Sequence, residues 1–482
     1  MIAPRSRLLV AAALLAALPS VPLAAQEVDR THPPTLPPPP ALRVPAVETA
    51  TLPNGLSLAV IEMHKVPVVD VTLLVGAGTV CDPDDLPGLA TFTATMLQQG
   101  AGSRGALDIA DEAAYLGASL NTGAGYDAAT ASLHVPKRRL GPALDLLADV
   151  VLRPTFPDTE IARQRDLRRA QILQQRDQPV AMANVAFAAI VFGAAHPFGR
   201  PVNGTETSTA ALNRDRVLQF YQTYYRPNTT RLLVVGDVTL NEAKRLVAAR
   251  FGAWARGEAP PPPAAAAPAA AARTIYLVDK PGAAQSVFRI GQVGVGRATP
   301  DFFALEVLNT ILGGSFTSRL NQNLRETHGY TYGANSQFVM RRLPGPFVAA
   351  ASIVTAKTDS ALIEFMRELR RIRDEAVPQA ELAKARAYIS LGLPAEFETT
   401  QSAARQFSNL LLYDLPLDYY GTYIPRINAV TAADVQRVAR QYLDPDHFAI
   451  VVVGDRSKIE SGLQATHEGP IAIRDMWGQL VP

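Results

Sequence analysis

Seven histidines and one cysteine are all this chain has for holding a soft or borderline metal. The histidines are scattered, with no His-x-x-x-His pair to put two imidazoles on one helix face. Cys81 stands alone, which excludes an intramolecular disulfide and any zinc site built on several thiolates. No nucleophile–base pair stands out. Gly291-Gln-Val-Gly294-Val-Gly296 lacks the strand–Gly-x-Gly-x-x-Gly–helix order of a dinucleotide loop and is expected to end a strand. Arg163, Arg165, Arg168 and Arg169 share a helix with acidic neighbours and are expected to form a solvated face. His196 is expected to pack at a turn beside Pro197.

The elements that would position any site come in two sets. At 482 residues the chain is too long for one core. A net charge of +2 gives no reason to expect nucleic acid as partner. The stretch beginning Pro260-Pro-Pro-Pro interrupts helix formation and favours a semi-rigid spacer, dividing the chain near its middle. The flanking halves echo each other. Tyr224-x-x-Pro227-Asn228 precedes Leu232-Leu-Val-Val-Gly236-Asp237; Tyr442-x-x-Pro445-Asp446 precedes Ile450-Val-Val-Val-Gly454-Asp455, at a constant offset. Pro157-Asp-Thr-Glu160-Ile161 returns as Pro378-Gln-Ala-Glu381-Leu382. Such spacing marks a duplicated domain. Each β-branched run ending in Gly-Asp reads as a buried strand meeting a turn.

Strands are expected at 57–61, 66–75 and 128–135, and helices after Gly88 and over 108–116, 158–175 and 361–375. Hairpin-like strand pairs with helices on one side give an α+β class: two homologous halves, each an α/β sandwich with a largely antiparallel sheet. The expected organisation is a signal peptide over 1–25, a Pro-rich tether over 26–48, a first domain over 49–256, a Pro/Ala-rich linker over 257–272 and a second domain over 273–482. The basic start, the apolar stretch Leu8 to Ala17 and the small-residue exit carry the signal-peptide reading. The apolar stretch is short for a membrane span. The expectation is an exported protein, periplasmic or secreted, without a stable membrane span.

Several motifs, in order along the chain, resemble the inverted-zincin peptidases of the pitrilysin/insulinase (M16) family. They are Pro53-Asn54-Gly55-Leu56, Gly88-Leu-Ala-Thr-Phe-Thr-Ala-Thr-Met96, and His196-Pro-Phe-Gly199-x-Pro201-x-x-Gly204. They continue with both Gly-Asp strands, Leu312-Gly-Gly314-x-Phe316-x-Ser318-Arg319-Leu320, and Leu324-Arg325-Glu326-x-x-Gly329-x-x-Tyr332. The resemblance implies paired α+β domains enclosing a chamber between two halves. The family's frame is Gly-Leu-x-His-Phe-x-Glu-His-Met; here Thr91, Ala94 and Thr95 replace both histidines and the catalytic glutamate. A hydroxyl is a poor zinc ligand and alanine cannot act as a base. The family's third ligand, a glutamate about 76 positions further on, falls on Gln171, whose amide brings no charge to offset the cation. The resemblance therefore implies no metal and no catalytic residue in this chain.

The family's arginine and tyrosine, seven residues apart, match Arg325 and Tyr332. Arginine offers a permanent charge with forked donors, and a tyrosine hydroxyl can donate to a carbonyl gaining negative charge. Gly329 between them is expected to break any helix. What the resemblance implies is the inactive subunit of a two-chain peptidase. The Zn²⁺ would sit in a catalytic M16 sister chain, a peptide would be the substrate, and Arg325 and Tyr332 would act in trans. A non-proteolytic binding or scaffold protein with this fold is the alternative.

Overall fold

The computed structural model describes residues 42–263, 265–269 and 271–481. The expected signal peptide and most of the expected tether lie outside the described residues. The tether's last residues Leu42, Val44 and Val47 pack on the core of the folded body.

Fourteen strands carry the architecture. In the first half are β1 (Glu48–Thr51), β2 (Ser57–Glu62), β3 (Val68–Val75), the short hairpin β4 (Gly100–Ala101) and β5 (Arg104–Gly105), β6 (Ser119–Ala124), β7 (Ala129–Pro136) and β8 (Thr230–Gly236). In the second are β9 (Thr274–Asp279), β10 (Gln285–Val293), β11 (Ala334–Phe338), β12 (Pro346–Val354), β13 (Ala449–Gly454) and β14 (Ile471–Arg474). Two six-stranded sheets result, ordered β1-β2-β8-β3-β7-β6 and β14-β9-β13-β10-β12-β11. β8 runs parallel to β2 and antiparallel to β3; β13 runs parallel to β9 and antiparallel to β10. The two Gly-Asp strands are thus equivalent, as the repeat implied, and both lie inside their sheets. The outer strand beside each parallel pair differs: β1 is antiparallel to β2, and β14 is parallel to β9.

Hairpin pairing of β2 with β3 is not what forms. β8, entering from more than 150 residues away, lies between them. Its Leu232-Leu233-Val234-Val235 run is apolar on both faces, so it needs cover on both, which an inner position supplies.

That two-sided burial also corrects the expectation of helices on one side only. Leu58, Val60, Leu232 and Val234 join the first half's own core. Ala59, Ile61, Leu233 and Val235, on the opposite face, join a core shared with the second half. The helix Thr400–Leu412 of the second half packs on β3 and β8, and the helix Pro179–Phe192 of the first packs on β10 and β13. Met182, Ala183, Ala186 and Phe187 of the latter sit against Val287, Val451 and Val453. Each half lends the other a helix, and the two lent helices begin 221 residues apart.

Polar ties join the halves as well. Arg231 and Arg342 both donate to Asp414, the latter at 2.8 Å, and Asp127 accepts from the Tyr413 hydroxyl and the Arg342 backbone N–H, each at 3.2 Å. Cavities of about 390 and 550 Å³ remain along the seam among the described residues. Those volumes suit a small ligand. Within this chain the two halves pack closely, with the lent helices along the seam.

Candidate functional site

The helix Leu89–Met96 is buried on nearly every side, as an apolar sequence of this kind requires. Gly88 precedes it at φ 90, and a Cβ there would lie 2.7 Å from the backbone of Asn203 and Gly204, so both the turn and the close approach demand glycine. The Asp82 carboxylate accepts the N–H groups of Gly88 and Ala90, each at 2.7 Å, satisfying donors at the helix start. Burial pushes the Asp82 carboxyl up to about 7, against those two N–H donors and the charges of Arg200 and Arg168.

Thr91 is 6% exposed, and its hydroxyl contacts the carbonyls of Gly88 at 2.9 Å and Val202 at 3.0 Å. It also accepts from Nη1 of Arg168 at 3.1 Å, which itself lies 2.8 Å from the Gly88 carbonyl. Thr95 turns its hydroxyl back to the Thr91 carbonyl at 2.9 Å, and Ala94 is wholly buried. Arg168 comes from the helix Asp158–Gln175, with its guanidinium carbon 4.9 Å from the centre of the Phe92 ring. Burial lowers the Arg168 pKa to about 10, with Asp82 opposing the shift, so the side chain remains cationic at neutral pH. Gln171, one turn on, is exposed.

Tested against zinc, this donor set does not fit. It offers two hydroxyls already engaged, a methyl group and an amide, where zinc takes His, Cys or carboxylate. A guanidinium in contact with Thr91 adds like-charge repulsion, roughly 4 kcal/mol per pair of unit charges at 4 Å near a protein surface. Among the described residues no group of three His, Cys, Asp or Glu side chains could hold a metal elsewhere.

Arg168 departs from the expected solvated face. Arg163 pairs with Glu160 and Arg169 lies near Asp166 at the surface, but Arg168 is only 7% exposed. The signal for this was in the spacing, since Ile161, Arg168 and Ile172 fall on one buried helical stripe. His196 packs as expected, accepting the Phe198 N–H at its turn and lying against Phe192 and Phe198. Gly291 lies within β10, as expected for a strand rather than a nucleotide loop.

Arg325 sits in a wide-turned helical segment, Gln322–Thr327, of the kind often found at functional sites. Asn323 anchors this segment by donating to Glu364 at 2.8 Å and Glu368 at 2.9 Å. The Arg325 guanidinium carbon lies 4.3 Å from the Phe316 ring centre, and one nitrogen is 3.1 Å from Glu326. Gly329, at φ 64, ends the helix as expected and donates to the Arg325 carbonyl at 3.0 Å. Thr331 then bridges the carbonyls of Gly333 and Ser352, and Tyr332 stands out at 92% exposure. No hydrogen bond or cation–π contact joins Arg325 to Tyr332 among the described residues, nor either of them to the Thr91 helix.

Two family profiles match successive stretches that together span about two thirds of the chain. The one described as "Insulinase (Peptidase family M16)" matches residues 58–205, and "Peptidase M16 inactive domain" matches 211–389.

The chain belongs to peptidase family M16.

An uncharacterized zinc protease of Mycobacterium leprae is 28% identical to this M16 chain over 419 residues, covering 86% of the chain and 93% of that protein. A crystal structure of a peptidase M16 inactive domain from Pseudomonas fluorescens is 27% identical with a TM-score of 0.79, covering 85% and 98%. A chain of complex III2 from Candida albicans shares the fold at 17% identity, with a TM-score of 0.73 and coverage of 88% and 100%. No helix among the described residues is long and apolar enough to cross a membrane.

Proposed function

We propose that this M16 chain is the non-catalytic subunit of a two-chain zinc peptidase. It is exported to the periplasm or beyond and presents Arg325 and Tyr332 to a peptide held at a zinc-bearing sister chain. The observation that carries the reading is an asymmetry of finish. The Thr91 helix is closed by a buried cation, while Tyr332 is held in the open by an ordered turn with its hydroxyl free for a partner's substrate. In that role Arg325 and Tyr332 would donate to the substrate carbonyl as it becomes an oxyanion, and the sister chain's Zn²⁺ would supply the activated water. An extended peptide would add to an exposed sheet edge.

The test is reconstitution with the sister chain. Arg325→Ala should lower kcat of the assembled enzyme by about a hundredfold, the usual loss of one oxyanion donor, while leaving the melting curve of the isolated chain unchanged. Unchanged kinetics would refute the role. Stoichiometric zinc with peptide cleavage by this chain alone would refute the non-catalytic reading. A stable assembly that contains no zinc-bearing sister would favour the scaffold alternative, for which the shared fold with the complex III2 chain is the supporting observation.

A further inference from the structure

The internal repeat gives the second half its own counterpart of the Thr91 cleft. Helix Gln379–Gly392 begins just after Pro378, as helix Asp158–Gln175 begins just after Pro157. The spacing that places Glu381 opposite Glu160 also places Ile389 opposite Arg168 and Gly392 opposite Gln171. Where the first half has a long cation, the second has a branched alkyl group; where it has an amide, the second has no side chain. A cavity of about 640 Å³ opens there. It lies between that helix, the helix Phe302–Asn309, the lent helix Thr400–Leu412 and the end of β11.

The chemistry of its wall is specific. Phe302, Phe338, Tyr413, Tyr420 and Tyr423 supply aromatic surface. Among them is the half-buried carboxylate of Glu306, for which no hydrogen bond or ion-pair partner exists among the described residues. Burial raises its pKa, with Arg297 opposing. The cleft already shows what it does with a cation: the Arg297 guanidinium carbon lies 3.7 Å from the Phe302 ring centre and 5.1 Å from that of Tyr419, whose hydroxyl it also meets at 3.0 Å. Held there, Arg297 forms no ion pair with Glu306. Aromatic faces around an unpaired carboxylate are the surroundings that favour a desolvated ammonium or guanidinium. The approach is also set. β11 is an edge strand hydrogen-bonded to β12 alone, and its last residue, Phe338, is part of the cleft wall. Along β11, from Ala334 to Phe338, an extended chain spans roughly 13 Å.

We propose that this second-half cleft is a specificity pocket for the cationic side chain, lysine or arginine, of an extended peptide lying along β11. Glu306 receives the charge, and Phe302, Phe338 and Tyr423 surround it. The inference shares with the proposed function only the peptide as ligand; it needs no sister chain, so the two can fail separately.

Fluorescence anisotropy on the isolated chain tests it, with two labelled decapeptides that differ only in carrying two arginines or two glutamines. The arginine peptide should bind about tenfold more tightly, a charge contact's worth in binding. Glu306→Gln should remove that preference and leave the glutamine peptide unaffected. Ile389→Arg, which copies the first half's cation into the second, should abolish the preference through a different wall of the cleft. Circular dichroism and thermal melting establish that each variant is folded. Equal affinity for the two peptides, no binding of either, or a preference that survives both substitutions would overturn the proposal.

Discussion

The two halves of this chain set the same pair of helices against each other and treat the space between them in opposite ways. In the first half, Arg168 reaches across to Thr91 and the Gly88 carbonyl and closes the gap. In the second, Ile389 and Gly392 stand at the matching positions, and a cavity of about 640 Å³ remains. The sheets behind them keep the same strand order apart from one edge pairing, so the scaffold is indifferent to the choice. The contrast falls on matching positions of the helix after the Pro157 or Pro378 turn, where Arg168 fills the gap and Ile389 lines the cleft.

The strongest way to break this comparison is to undo the closure. A chain with Thr91→His, Ala94→Glu, Thr95→His and Gln171→Glu is expected to take up no stoichiometric zinc while Arg168 remains, and to become zinc-binding when Arg168→Val is added, as read by metal analysis. Zinc in the fourfold variant would show that the ligands alone decide the matter.

Next come the lent helices. Phe187→Ala, on the helix covering the second sheet, should cost about 3–5 kcal/mol, and Leu410→Ala, on the helix covering the first, about 2–5 kcal/mol. Both should shift a single cooperative urea transition. Two separate transitions in either variant would show that the halves are energetically independent.

A smaller contrast compares the matched positions themselves. Arg168→Met removes a charged donor from the buried Gly88 carbonyl and should cost about 1.5–3 kcal/mol, while Ile389→Met should cost less than about 1.5 kcal/mol. Equal losses would mean that Arg168 acts as mere packing.

The smallest effect belongs to Asp414 at the seam. Burial there raises its pKa, but the donors from Arg342 and Arg231 prevail and hold the carboxyl below the usual carboxylate range. A depressed folded pKa contributes stability above the unfolded value near 4, and that contribution is lost as pH falls through the folded value. The partly exposed pair should be worth less than about 1 kcal/mol at pH 7. The difference in urea midpoint between wild type and Asp414→Asn should therefore shrink between pH 5 and pH 2; a difference that grows instead would reverse the sign.

Legibility varied with how local the cause was. The helices over 158–175 and 361–375 and the Gly329 break were open to reading, because proline, glycine and periodicity act within a few residues. The duplicated Gly-Asp strands were legible too. Their place inside the sheets was not, because nothing in the 63–67 turn announces that β8 will enter between β2 and β3. Arg168 was misread because a charge on a helix is usually solvated; only its stripe with Ile161 and Ile172 told otherwise. The cleft at Glu306 was invisible without the fold, since its walls come from four separate stretches of chain.

The lent helices have a consequence for how this protein is made and cut. A ribosome that has finished the first half has produced a sheet with one greasy face bare, and the helix that will cover it is still about 150 residues from synthesis. Until then that face is a place for a chaperone or for aggregation. Once both halves exist they clasp each other, so a protease that severs the proline-rich spacer should release nothing: the nicked pieces should migrate as one particle until denatured.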